Sequence, residues 1–461
     1  MKTIPLFLLL VVLSGQSPSL AADLVPVGVA RVDISPERAV PLINELTPEL
    51  SRGITQPLFA RAFAIGEDPP VVLVGFDGIG VPGPLSEEVA TRLAERAIPR
   101  KNVALTASHT HWAPHLSGFL PGIFGAPFPP EHREEIERYT DFLIQRLCDV
   151  AIEAVDSREP MRLSRAIGRV EFAANRRLAG SGELVIDEEA GIMITNNPEA
   201  PVDHSMPTWF AEAADGTVRG ILFTYACHNV AITGRSFSGF RNRVHGDWVG
   251  LAQEEIENRH PNAVALGTIG CGGDQRPITC GGIETARTHA REIAREVDRL
   301  FTTPGTRESV SGSLHTTRQE VALPLAPPPS RETLETFVND PKSRSAMARA
   351  MVARRILSGD DKRDSVPFQI QRWRFEKGPS LLFLSGEVCI DYQLWLKSEF
   401  GDSVQPIAYT NSIPCYIVSK RMLEQGGYEA GNSMYYYGYL SPLLPETEDI
   451  IHEAVRETLA E

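Results

Sequence analysis

Apolar positions along this chain follow two patterns. Residues 27–34, 70–78, 102–108, 218–226, 262–270 and 379–386 form short runs, several of them apolar nearly throughout. Runs of that length predict strands buried on both faces. Between them the apolar period lengthens, and residues 86–98, 131–155, 247–258, 283–301 and 444–460 read as helices. In 131–155 the residues Ile136, Tyr139, Leu143 and Leu147 fall on one helical face. Asp247 stands where it would cap the helix that follows it. Strands interleaved with helices predict an α/β fold of layered mixed β-sheets with flanking helices. No internal repeat or low-complexity tract is visible. The Pro/Gly-rich segment 113–130 reads as a long loop at a strand end, a usual place for binding function. Residues 324–333 mark an internal boundary, and the polar helical piece at 330–365 reads as an insertion or lid.

Composition changes this picture at the N-terminus. Lys2 precedes an apolar stretch at residues 4–14, and small residues stand before Ala22. That predicts a cleaved secretory signal over 1–22 and a secreted or periplasmic protein, since the apolar stretch is too short to span a bilayer. The remaining residues, 23–461, have no other run long enough to cross a membrane. The formal net charge of −14 gives no basic footprint, so a nucleic-acid partner is not expected. Six cysteines in an exported chain of this size do not make a disulfide scaffold. Cys271 and Cys280 flank one short loop and are candidates for a bridge.

Four stretches carry chemistry. "SHTHWAPH" clusters His109, His111 and His115 in a chain with 11 histidines. On a strand, positions two apart share a face, so His109 and His111 would reach one site, and neutral imidazole suits zinc. The HxHxxxH run departs from the HxHxDH pattern of metallo-β-lactamase-like hydrolases at Pro114, which counts against that fold. A second strand ends at His228 and is followed by His245, Gly246 and Asp247 opening a helix. Glu387 follows a third apolar strand, where a carboxylate needs a partner or a metal. Tyr416 and Tyr428, with Glu429 beside the latter, lie in the fourth.

Taken in order, "SHTH", "ACHN…HGDWVG", "GCGGDQRP", "SGE" and "N-x4-Y…YE" resemble the neutral ceramidase family, specifically its N-terminal catalytic domain. The resemblance runs from about residue 27 to the C-terminus. It implies a zinc site built from His109, His228, Glu387 and Tyr416. It implies His111 as the proton-transfer residue, and Tyr428 with Arg176 as groups that stabilise an oxyanion. Arg176 in "AANRR" matches the family arginine better than Arg177. The "GDQRP" segment, with Asp274 and Arg276, occupies the family's substrate-contacting "GDxSP" position, so Arg276 replaces a serine. "PC" precedes Tyr416 where the family has "TH", and no C-terminal immunoglobulin-like domain is expected.

The resulting expectation is a zinc-dependent hydrolase of an amide, or less readily an ester, acting on a small-molecule or lipid-like substrate that need not be ceramide. Arg276 would favour an anionic group on that substrate. Two alternatives remain open: a zinc-dependent lyase or carbohydrate-directed enzyme on the same fold, and a non-catalytic relative that binds a ligand through Arg276 and the loop 113–130.

Overall fold

The computed structural model describes residues 24–43, 49–125, 127–177, 196–232, 242–339 and 342–461. The signal sequence expected over 1–22 lies outside the described residues. The secondary structure falls into three arms of like topology, a repeat that is absent from the sequence.

The first arm runs β1 (Val25–Asp33), β2 (Phe59–Ile65), β3 (Val71–Phe76), α1 (Gly83–Ala94), β4 (Val103–Ala107) and α2 (Pro130–Asp156). The second runs β5 (Glu159–Arg169), a short β6 (Ala173–Asn175), β7 (Ser205–Glu212), β8 (Val218–Tyr225), α3 (Asp247–Arg259), β9 (Val264–Ile269), a short β10 (Gln275–Pro277) and α4 (Ile283–Thr302). The third begins with β11 (Glu308–Pro324). Two helices follow, α5 (Arg331–Asn339) and α6 (Arg344–Ser358), and then β12 (Ser365–Lys377) and β13 (Ser380–Leu384). It continues with a short β14 (Glu387–Val388), α7 (Ile390–Phe400), β15 (Val404–Ile407), a short β16 (Tyr416–Ile417), α8 (Lys420–Gln425) and α9 (Glu446–Ala460).

In each arm two antiparallel pairings are followed by one parallel pairing: β1-β2-β3-β4, β5-β7-β8-β9 and β11-β12-β13-β15. A parallel pair cannot be joined by a tight turn, so α1, α3 and α7 make the crossovers. The first strands join the arms into one twelve-stranded sheet, β5 pairing with β1 through Met161 and with β11 through Leu163–Arg165.

The sheet folds round an inner core in which Phe63 and Leu73 of the first arm meet Trp209, Leu222 and Leu266 of the second and Trp373, Phe383 and Ile407 of the third. Glycine permits the close approach of arms. A Cβ on Gly220 would stand 2.6 Å from the Phe63 ring, and one on Gly75 would stand 2.3 Å from Leu266. The outer faces pack under the helices in a second, larger core. The third arm closes back on the first. Asn411 donates its backbone N–H to Leu105 O at 2.8 Å and accepts from Leu105 N at 3.1 Å through its side chain.

One helix expectation shifts. The Asp247 helix is capped at Gly246, with Asp247 as its first residue. The Asp247 carboxylate accepts from Trp248 N in the first turn at 2.7 Å and also from Ala231 N and Ile232 N of the preceding loop, both at 3.1 Å, and its φ is 53°. Helices α5 and α6 interrupt the β11–β12 hairpin, and α6 sets Arg349 over the Tyr435 ring. The described residues contain no immunoglobulin-like domain, and none of their helices is long and apolar enough to cross a membrane.

Candidate metal centre

The parallel pair of each arm ends on the same side of the sheet, the side where open α/β sheets collect ligands. Each arm delivers one residue there. His109 comes two positions after β4, His228 three after β8, and Glu387 three after β13. Their nearest donor atoms lie within 4.8 Å of one another, and all three side chains are buried. Glu387 Oε2 is 3.3 Å from His109 Nε2 and 3.2 Å from His228 Nε2.

The other strand of each pair orients the residue. His109 Nδ1 donates to Ile79 O at 2.6 Å, and His228 Nδ1 donates to Gly272 O at 2.7 Å. These bonds place the ring protons on Nδ1 and leave both Nε2 lone pairs facing Glu387, the tautomer a metal requires. In the third arm Tyr409 donates its hydroxyl to Glu387 Oε2 at 3.4 Å, and Tyr437 donates to Oε1. Burial, followed by the nearby Arg176, pulls the His228 pKa down to about 4, so its imidazole is neutral at physiological pH. His109 Nε2 is buried without a hydrogen-bond partner. A buried polar atom left unmatched among convergent nitrogen and oxygen donors fits a cation better than an empty core.

Local backbone strain accompanies this arrangement. His109 and Tyr409, each second after the last strand of its arm, have φ of 58° and 57°. Left-handed conformations in non-glycine residues are rare and concentrate at functional sites. The turn at His109 also corrects the expectation that His109 and His111 share a strand face. Both lie beyond β4, and it is the reversal at His109 that brings their rings to 5.0 Å between centroids. Gly386 likewise needs its φ of 85°, because a Cβ there would meet Ile417 at 2.6 Å.

Tyr416 stands beside the group. Its β16 strand pairs with β14 in register opposite Glu387, and its hydroxyl is 3.3 Å from His228 Nε2. Arg176 Nη2 donates to the same hydroxyl at 3.1 Å. Arg176 Nε binds Glu429 Oε1 at 2.8 Å, and Arg177 Nη1 binds Glu429 Oε2 at 2.6 Å. Of the two adjacent arginines, then, Arg176 reaches the centre, and Arg177 anchors the carboxylate that holds it. Tyr428 stands at the rim, half-buried, with its ring 5.6 Å from that of Tyr416. The His111 ring is 6.4 Å from that of His228, and its Nε2 has no partner. Burial, then the neighbouring His109 and His228, hold its pKa well below the usual value.

Other expected residues lie outside the metal group. His115 is buried between Phe124 and Phe128 in the loop, away from the centre. Asp274 is wholly buried, and its carboxylate accepts from Ile390 N at 2.9 Å and Asn175 Nδ2 at 2.8 Å. It thereby ties the start of α7 to the β6 strand just before Arg176. Arg276 lies on β10 opposite Ala174, and its Nη2 donates to Cys280 Sγ at 3.0 Å. The Cys271–Cys280 bridge is not formed, and all six cysteines are free. Cys271 is held in the interior by the bond from its N–H to Gln393, whereas Cys280 turns toward Arg276. Tyr409 and Tyr437 were missed by sequence reasoning. One follows an apolar strand and the other sits in a tyrosine run, and neither has a spacing that marks it.

No family model matches the chain, and no curated protein does. Solved structures do. Neutral ceramidase from Pseudomonas aeruginosa superposes with a TM-score of 0.67 at 17% identity, covering 94% of this chain and 74% of that one. A ceramidase complexed with C2 gives a TM-score of 0.66 at 15% identity, covering 94% and 75%. The chain has the neutral ceramidase fold.

Proposed function

We propose that this protein is an exported, zinc-dependent amide hydrolase of the ceramidase kind. The observation that carries the reading is the convergence of His109, His228 and Glu387, one from each arm, with both imidazole Nε2 atoms turned toward the carboxylate. The shared fold supports an amide as the scissile bond. The donor set is mixed nitrogen and oxygen, with Tyr416 as the fourth ligand, and such a set suits zinc.

Zinc held by His109, His228, Glu387 and Tyr416 would supply a Lewis acid for the carbonyl and a more acidic water. The chain's own residues supply the rest. His111, neutral and with an unpartnered Nε2, accepts the proton of the attacking water and returns it to the leaving amine. Arg176 and Tyr428 flank Tyr416 and stabilise negative charge on the carbonyl oxygen as it forms. Glu429 and Arg177 hold the Arg176 guanidinium in place, and Tyr437 and Tyr409 fix the Glu387 carboxylate. Arg276 stands on the same β6–β10 ribbon that leads into Arg176, and its charge is the ground on which we assign it an acidic group of the substrate.

The test combines metal analysis with a panel of N-acyl substrates that includes ceramide and N-acyl amino acids. About one zinc per chain is expected. Metal and hydrolysis should disappear together in His109→Ala and Glu387→Gln. Turnover in isotopically labelled water should place solvent oxygen in the acid product, which a lyase would not do. Full activity in metal-free protein would sink the proposal. For Arg276, an Arg276→Ser variant should lose turnover of acidic substrates selectively, and an unchanged preference refutes its role.

A further inference from the structure

A cavity lies on the inner face of the sheet, between the second and third arms. It is small, about 30 Å³, and Arg165, Thr224, Gln393, Lys397 and Gln405 are among its walls. Arg165 sits on β5 just beyond Leu163, where the inner core gives way to this cavity, and Ile167 marks the exposed mouth.

Arg165 is only 4% exposed, yet it forms no ion pair among the described residues. Its Nη1 donates to the Asp402 carbonyl at 2.7 Å, and its Nε is buried without a partner. Glu308, opposite it on β11, and Asp402, on the cavity wall, are its nearest carboxylates, neither within ion-pair distance, and burial lowers its pKa. An arginine does not lose its proton in a protein, so a buried guanidinium requires a counter-charge. The other polar groups of the wall are already matched. Gln405 binds Trp209 Nε1 at 2.8 Å and Thr224 Oγ1 at 2.9 Å. Lys397 binds Asp203 and Ser205, both at 2.9 Å, and keeps a third of its side chain exposed at the rim. The one unmatched group is therefore a donor on a cation.

We propose that this cavity binds a small monovalent anion the size of chloride, with Arg165 Nε as its principal donor and Lys397 adding positive charge at the mouth. Size excludes larger candidates. A water needs roughly 10–15 Å³ of such space, so the cavity has room for about two waters' worth of ligand and none for a nucleotide or an acyl chain. The site is separate from the metal group, and its occupancy does not depend on the reaction assigned above.

The test uses the whole, unaltered protein first. Crystals soaked in sodium bromide should show an anomalous peak within hydrogen-bonding distance of Arg165 Nε. In solution the thermal midpoint should rise with chloride relative to gluconate at equal ionic strength, as it must when an anion binds the folded state alone. In Arg165→Gln the chloride-specific rise should vanish. A cavity holding only water in the bromide map overturns the proposal, even if Arg165→Gln does not fold. So does a chloride response that is the same in Arg165→Gln and the unaltered protein.

Discussion

The Arg176–Glu429–Arg177 triad is the most stringent point at which to test the centre's construction. The three residues are 6%, 3% and 3% exposed, and one carboxylate pairs with two guanidinium groups. Replacing Glu429 with Gln changes almost no volume, so no cavity opens and the effect is electrostatic. The amide keeps one acceptor oxygen but turns an NH2 group toward the other guanidinium, leaving a buried cation unmatched. Breaking a buried ion pair from one side costs about 3–5 kcal/mol. Unfolding entropy of about 2.1 cal/mol/K per residue over roughly 440 residues converts this to about 1 °C per kcal/mol, so the thermal midpoint should fall by about 3–5 °C. Calorimetry at neutral pH measures it directly. Glu399→Gln, which removes the partner of Arg456 at the surface, is the control and should leave the midpoint where it was. The pH dependence adds a second check. Burial raises the Glu429 pKa, but Arg176 and Arg177 outweigh it and hold the carboxyl below its usual value. A depressed carboxylate pKa gives stability that is present at neutral pH and is lost as pH falls through the folded-state value. The gap between the two proteins should therefore narrow in acid. An unchanged Glu429→Gln midpoint at neutral pH would refute the idea that this charge holds Arg176 in place.

Three further outcomes follow from the structure. Tyr437→Phe removes the donor to Glu387 Oε1, and loss of such a supporting bond should weaken metal retention by roughly 10–100-fold in chelator competition. Equal retention would show that Tyr409 alone orients the carboxylate. Gly28→Ala should destabilise by about 1–3 kcal/mol or more in urea titration, because the added Cβ would stand 1.9 Å from the Ala154 carbonyl of α2 and force that helix off β1. His115→Leu should flatten the acid limb of the stability curve. Burial between Phe124 and Phe128 lowers the His115 pKa to about 4, so the wild-type fold loses about 3 kcal/mol between pH 6.5 and 4 as the ring must charge, and a leucine has nothing to titrate. Parallel acid limbs for the two proteins would contradict this.

Much of the architecture was legible in the chain because burial on both faces leaves a continuous apolar record. β3, β4, β8, β9 and β13 were readable in this way. β2, β5, β7, β11 and β12 were not, since polar side chains such as Arg61, Arg162 and Arg372 interrupt them and find partners on other strands and helices. With those strands missing, the three-arm repeat could not be seen, for it is a repeat of connections rather than of residues. His109, His228, Glu387 and Tyr416 were singled out by the resemblance that the ordered motifs carry. Their convergence was not, because sequence spacing is silent on which strand ends share one edge of a sheet. The same reason hid Tyr409, Tyr437 and Arg165, whose significance lies in what surrounds them. The sequence by itself determined the residue types that can hold a metal and the strands that carry them. Only the tertiary structure decided that each arm contributes one of His109, His228 and Glu387 and a group to orient it, because that follows from how the sheet folds on itself and from the glycines that let its arms meet.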